Sequence, residues 1–347
     1  EKGLTYEGFR VLPYCWRDET PLSNHELRMD EDVYKDRQDP TVTVTFPITA
    51  EGDNPLADEL TGVAVLAWTT TPWTLPTNLS LVVGPQIEYA VLPAGPEQPK
   101  TNRVAAGARY LLAKDLIAAH AKDLGYADAD AAHDAVVATY SGEQLAGLHY
   151  EPLWQVLADN EKFDTSNAYR ILVDDYVTTT DGTGVVHQAP AYGEDDQRVC
   201  EANGIPVILS VDEGGRFLPF FKGTELEEIA GVQVFDANPA IIASLKANAR
   251  LMRQATYNHS YPHCWRCRTP LIYRAITSWY VKVTEFKQDM LDLNQQINWI
   301  PSNVKDGQFG KWLENARDWS ISRNRFWGSP IPVWKCDCGE CEHIEVF

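Results

Sequence analysis

The chain has 347 residues, 44% of them hydrophobic and 11% aromatic, with a formal net charge of −19. That composition excludes a disordered chain, and the acidity excludes an indiscriminate nucleic-acid binder, because phosphate affinity rests on Lys and Arg. No apolar run reaches the ~18 residues of a membrane span and no signal-peptide pattern opens the chain, so a soluble, cytoplasmic protein is expected. The start at Glu1 suggests an excised fragment. Seven cysteines, an odd number, read as metal ligands or free thiols before disulfides.

In chain order, residues 1–40 read as a connecting ribbon. Its segment Val11-Leu12-Pro13-Tyr14-Cys15-Trp16-Arg17-Asp18-Glu19-Thr20-Pro21-Leu22 returns, altered, at Tyr261-Pro262-His263-Cys264-Trp265-Arg266-Cys267-Arg268-Thr269-Pro270-Leu271. Both copies have the turn-rich shape of half a zinc knuckle, and they bracket everything between them. Alternation predicts a strand in Val42-Thr43-Val44-Thr45-Phe46. Further strands are expected at Gly62–Trp68, Leu79–Val83, Tyr89–Leu92, Val136–Thr139, Tyr169–Val173, Tyr176–Thr178 and Pro206–Val211. A helix is predicted over Ala105–Leu124, where Tyr110, Leu111, Leu112, Leu116, Ile117 and His120 share a face, and others at Asp196–Asn203, Asn238–Ala249 and Gly307–Trp319. In the last of these, Phe309, Trp312, Leu313 and Ala316 are expected to face inward. Ala127–Ala135 reads as an exposed surface insertion. The total predicts a mixed α/β, β-barrel-like domain of many short strands with a few helices. The expected domains are a ribbon with the first half knuckle at 1–40, a central domain at 41–253, and a second half knuckle with a return segment at 254–347.

Two stretches carry chemistry. In Ala67-Trp68-Thr69-Thr70-Thr71-Pro72-Trp73-Thr74-Leu75-Pro76-Thr77-Asn78, an apolar strand delivers three hydroxyls to a turn stiffened by two prolines. In Thr183-Gly184-Val185-Val186-His187-Gln188-Ala189-Pro190-Ala191-Tyr192-Gly193-Glu194-Asp195-Asp196, a short strand ends on a histidine and a turn enters a helix with three acids in its first turn. Carboxylates there gain from the helix N-terminal partial charge, and physical chemistry alone does not single out Asp196 among them. Cys200 reads as an inert core thiol.

Together these stretches resemble the editing domain of the isoleucyl-tRNA synthetase family, the first connective polypeptide of a class I synthetase; the resemblance covers essentially the whole chain. Asp318-Trp319-Ser320-Ile321-Ser322-Arg323-Asn324-Arg325-Phe326-Trp327-Gly328-Ser329-Pro330-Ile331-Pro332 looks like that family's return into the synthetic Rossmann core. No His-x-Gly-His and no Lys-Met-Ser-Lys-Ser string occurs, so the chain is not expected to form an adenylate. The resemblance implies hydrolysis of valine esterified to the 3′ adenosine of isoleucine tRNA, with valyl-adenylate as a second, pre-transfer substrate. It places Asp196 on the substrate α-ammonium and Thr69, Thr70 and Thr71 on the terminal adenosine, the ester and water. It places Trp73 and His187, with Thr74 and Gly184, around the side-chain pocket. His187 as a general base is the alternative to a steric role. The implied partners are tRNA(Ile) through its 3′ end and the rest of a synthetase chain, with a monomer expected and no membrane. No cofactor is implied for the hydrolysis. Structural zinc is implied at Cys15, Asp18, Cys264 and Cys267, where Asp18 departs from the paired Cys-x-x-Cys halves, and at Cys338 and Cys341. Two other readings stay open: a zinc-containing structural or interaction module without autonomous catalysis, and a free-standing trans-editing hydrolase.

Overall fold

The computed structural model describes residues 2–23, 25–28, 31–97, 107–323, 330–336, 338, 341 and 343–346. Among them the strands are β1 (Thr5–Cys15), β2 (Thr20–Pro21), β3 (Tyr34–Pro47), β4 (Val63–Thr69), β5 (Ser80–Val83), β6 (Glu88–Pro93), β7 (Arg109–Ala113), β8 (Ala138–Ser141), β9 (Arg170–Val173), β10 (Val185–Gln188), β11 (Leu251–Pro262), β12 (Ile272–Val281), β13 (Trp319–Ser320), β14 (Val333–Lys335) and β15 (Ile344–Val346). The α-helices are α1 (Ala57–Leu60), α2 (Ile117–His120), α3 (Ala129–Asp134), α4 (Gly142–Leu145), α5 (Glu194–Ala202), α6 (Val234–Ala247), α7 (Lys287–Gln296) and α8 (Gln308–Glu314). This is the mixed α/β class of many short strands and few helices that the pattern predicts. No helix among the described residues is long and apolar enough to cross a membrane.

The chain divides into two compact units, Val11–Ala275 and a smaller one made of Glu1–Arg10 with Ile276–Phe347. The larger is built on a six-stranded sheet, order β11-β3-β4-β7-β6-β8, and a three-stranded sheet, order β10-β5-β9. Strand β4 lies inside the first sheet, antiparallel to β3 and parallel to β7. Nearly every residue of Val63-Ala64-Val65-Leu66-Ala67-Trp68-Thr69 is buried, as expected of a strand covered on both faces. Leu66, Leu92, Tyr110, Leu112, Ile117 and Leu124 form one core cluster. Leu79, Val82, Leu172, Val199, Cys200 and Ile208 form another between the smaller sheet and α5.

The helix predicted over Ala105–Leu124 is the main departure. Residues 105 and 106 lie outside the described residues. Tyr110, Leu111 and Leu112 belong to β7, paired with β4 and β6, and only the short turn Lys114–Leu116 and α2 are helical. Three apolar residues in a row fit a two-sided strand as well as a helix face, and open pairing edges on both sides decide for the strand. The strands expected at Tyr176–Thr178 and Pro206–Val211 are irregular: Val177 and Ile208 are buried core residues, and Val211 makes an isolated bridge to Phe217.

In the smaller unit, buried Asn294 of α7 donates to the Lys305 carbonyl and accepts from Trp299 Nε1, tying α7 to the approach to α8. The helix expected to run to Trp319 ends at Glu314, and Trp319 pairs with Val281 in β13. Leu313 is buried as expected, but Trp312 is 66% exposed, its ring tilted against Phe309. The return run is described only in part, since Asn324–Ser329 lie outside the described residues.

Candidate functional site

Strand β4 ends in Thr69, and the chain turns through Thr70 and Thr71 into the 3-10 helix Pro72–Thr77, all six residues of which are buried. The hydroxyls link in sequence. Thr69 Oγ1 accepts from the Thr71 backbone N–H at 3.1 Å and lies 3.2 Å from Thr71 Oγ1. Thr71 Oγ1 lies 3.5 Å from Thr74 Oγ1, which donates to the Thr71 carbonyl at 2.9 Å. Strand β10, antiparallel to β5, brings His187 opposite Leu81 and sets its Nε2 2.8 Å from Thr74 Oγ1. The other ring nitrogen, Nδ1, lies 3.3 Å from Asn78 Nδ2. Thr69, Thr71, Thr74 and His187 are therefore one hydrogen-bonded cluster. Burial lowers the His187 pKa to about 4, so the ring is neutral at physiological pH.

Two residues past His187, the Ala189 N–H donates to Asp196 Oδ2 at 2.8 Å. The three acids that open α5 part company here. Glu194 and Asp195 are exposed, and Asp195 pairs with Arg198, which also grips Asp174. Asp196 alone folds back beneath the helix N-terminus, close enough that a Cβ on Gly193 would stand 2.6 Å from its Cγ. Burial pushes its pKa up to about 7, against the Ala189 hydrogen bond and with the help of Asp195. A cation arriving beside such a carboxyl favours its charged form.

Trp73 is buried, with Tyr192 edge-on at 4.9 Å, and its indole N–H has no partner among the described residues. Thr70 is half-buried. Gly184 lies against β7: its φ is +73°, a Cβ there would meet Ala113 Cβ at 2.4 Å, and its carbonyl accepts from Tyr89. Cys200 is fully buried beside Ser80 Oγ, its thiol pushed up to about 12 by burial, so it is not poised as a thiolate nucleophile. Sequence reasoning left Asn78 without a role and missed Tyr150. The Tyr150 hydroxyl donates to Asn78 Oδ1 at 2.7 Å across 72 residues of chain, and no local pattern signals such a contact.

The repeated half knuckles meet. The Cys15-to-Asp18 turn follows β1, the Cys264-to-Cys267 turn follows β11, and the residue after each, Glu19 and Arg268, has positive φ. Ligand atoms of Cys15, Asp18, Cys264 and Cys267 all lie within 4.8 Å of one another. Cys15 and Cys267 sulfurs are 3.3 Å apart and Asp18 Oδ2 is 3.4 Å from Cys264 Sγ. Ligands ~2.3 Å from a tetrahedral centre stand about 3.8 Å apart, so this donor set fits one metal ion after small adjustments. Cys336, Cys338 and Cys341 form a second, exposed group with sulfurs within 4.8 Å; Gly339 and Glu340, between the last two, lie outside the described residues.

The family model described as tRNA synthetases class I (I, L, M and V) matches residues 1–346. The chain is 62% identical to an isoleucine–tRNA ligase of Leifsonia xyli subsp. xyli and 52% identical to one of Corynebacterium diphtheriae, in each case across 100% of this chain and 31% of the relative. It thus spans about a third of the length of the relatives it matches. Among solved structures, the P. knowlesi cytosolic leucyl-tRNA synthetase editing domain aligns over 67% of this chain and 100% of its own, with a TM-score of 0.40 and 11% identity. With a family match running through both units, the chain belongs to the class I tRNA synthetases of the I, L, M and V group.

Proposed function

We propose that the chain carries the editing centre of an isoleucyl-tRNA synthetase and hydrolyses valine from mischarged tRNA(Ile). The observation that supports this best is one inward-turned carboxylate, Asp196, held on the Ala189 N–H, two residues along the chain from the His187 of the hydroxyl cluster. In this reading Asp196 binds the α-ammonium of the aminoacyl ester by a charge-assisted hydrogen bond. The ammonium's charge holds the carboxylate ionised. Thr69, Thr70 and Thr71 position the 3′ adenosine, the ester and the attacking water. An activated ester needs no enzyme nucleophile when water is oriented and the developing oxyanion is stabilised, which suits a site whose buried thiol is inert. Trp73 and His187 bound the side-chain pocket. A single methylene is worth only about 1–3 kcal/mol in binding, a limit for which isoleucine against valine is a standard illustration, so a second, smaller sieve is required.

The knuckle at Cys15, Asp18, Cys264 and Cys267 would hold zinc as a structural ion, with the carboxylate of Asp18 completing three sulfurs. Cys338 and Cys341 would supply part of another structural site. Transfer RNA delivered through its 3′ end, and the remainder of a synthetase chain, are the partners this function requires. Single-turnover deacylation of valyl-tRNA(Ile) by the wild-type chain and by Asp196→Ala tests the proposal. Cleavage lost in the variant supports it, and equal rates in both refute the role given to Asp196.

A further inference from the structure

We propose that Asn78 and Thr74 are positioning residues that lock His187 in its Nε2–H tautomer, so that His187 serves the threonine turn as a hydrogen-bond donor and accepts no proton in the reaction. The proposal rests on the hydrolytic reading above for its consequence, and on hydrogen-bond accounting for its substance.

Two carbonyls, which can only accept, border the ring's partners. The Ser80 carbonyl takes a hydrogen bond at 3.0 Å from Asn78, so the Asn78 atom facing it is the amino nitrogen Nδ2. In that orientation the Tyr150 hydroxyl donates to the opposite amide atom Oδ1 at 2.7 Å. Because that Nδ2 also faces His187 Nδ1 at 3.3 Å, Nδ1 must be the bare nitrogen. From the other side, the Thr71 carbonyl takes the proton of the Thr74 hydroxyl at 2.9 Å, which leaves Thr74 Oγ1 only lone pairs toward His187. His187 Nε2, 2.8 Å from it, must therefore carry the proton. Two independent chains give one answer.

Either alternative is penalised. The Nδ1–H tautomer and the imidazolium both set a ring N–H against the Asn78 amino group, inside a site where Asn78, Thr74, His187 and Tyr150 are all buried. A buried polar group left unpaired or opposed there is penalised because no water replaces the lost partner. The lowered pKa of His187 agrees with this. A general base needs a lone pair aimed at the reacting water, and the one lone pair of His187 points at Asn78. What the ring does instead is tie β10, through Thr74, to the carbonyl of Thr71, fixing the turn that presents the Thr69 and Thr71 hydroxyls.

The test is histidine-selective ¹⁵N labelling of the chain, with long-range ¹H–¹⁵N correlation at pH 7 and H187Q to assign the ring. The lock predicts one protonated nitrogen, Nε2, and a bare Nδ1. N78D, which replaces the amino donor by a carboxylate oxygen, is expected to move a proton onto Nδ1. T74S is expected to keep the wild-type pattern and T74V to lose the downfield-shifted Nε2 proton. In deacylation, T74V should lose about 10–100-fold, mainly in kcat, as a misplaced group does, with T74S restoring most of the rate. A wild-type ring protonated on Nδ1, or on both nitrogens, overturns the proposal, as does a wild-type pattern in both N78D and T74V. The spectrum is read without substrate, so it decides the lock even for a chain inert toward the valyl ester, a result that would count against the hydrolytic reading instead.

Discussion

Replacing Asp196 by Asn should make the protein more stable at pH 8 while disabling its proposed chemistry. The carboxyl titrates at about 7 in the folded chain against 3.8 in the unfolded one, because burial disfavours its charge. The raised value means that the folded state binds the proton more tightly, so the stability it contributes is complete below about pH 4. That contribution is lost progressively as pH rises toward about 7, then stays lost. At about 1.4 kcal/mol per pH unit the full loss approaches about 4 kcal/mol, and the partial solvent access of the side chain brings the expected value nearer about 2–3 kcal/mol. Asn keeps an oxygen to accept from the Ala189 N–H, 2.8 Å away in the wild type, and removes the charge. Urea denaturation of both proteins at pH 4.5 and pH 8 measures the difference. The two midpoints should lie close together at the lower pH and separate in favour of D196N at the higher. A gap that does not change with pH, or a variant that is the weaker of the two at pH 8, refutes the argument that Asp196 is held charged against its burial.

With Asp196 in the proposed role, kcat/KM for valyl-tRNA(Ile) should rise with pH through about 7 and level off as the carboxyl ionises, and a flat profile from pH 5.5 to 8.5 contradicts the ammonium-anchor role. Gly193→Ala places a Cβ 2.6 Å from Asp196 Cγ, so it should displace the carboxylate and cost about 10–100-fold in kcat/KM; a variant within twofold of wild type would show the contact to be harmless. Asp18→Cys should slow the loss of zinc to a chelator by an order of magnitude or more, since structural sites favour sulfur over carboxylate, and elemental analysis after timed chelation reads the result; unchanged release removes Asp18 from the ligand set. Cys200→Ala should leave deacylation within about threefold, the thiol being buried and protonated, and a hundredfold loss would require a covalent route.

Much of the site was legible because its parts are local. An apolar run followed by three threonines and two prolines becomes β4 and a rigid turn whatever surrounds it, and Val185–His187 reads as a strand by the same logic. The two cysteine turns announced each other by repetition, and the structure adds a positive φ after each. What the sequence withheld is decided at a distance. Which of three adjacent acids turns inward depends on the bare Cα of Gly193 and the N–H of Ala189. The tautomer of His187 depends on the Asn78 amide, 109 residues away in sequence. Tyr110-Leu111-Leu112 fits helix or strand equally until β4 and β6 supply its pairing edges. Trp312 faces outward because the short helix α8 buries Gly310 and Leu313 instead.

The measurement that bears most directly on the editing assignment is side-by-side deacylation of valyl-tRNA(Ile) and isoleucyl-tRNA(Ile) by the wild-type chain and by Asp196→Ala. The expected result is rapid loss of the valyl ester, a stable isoleucyl ester, and no cleavage of either by the variant. Equal cleavage of both esters, or valyl cleavage that survives the loss of Asp196, would contradict the account.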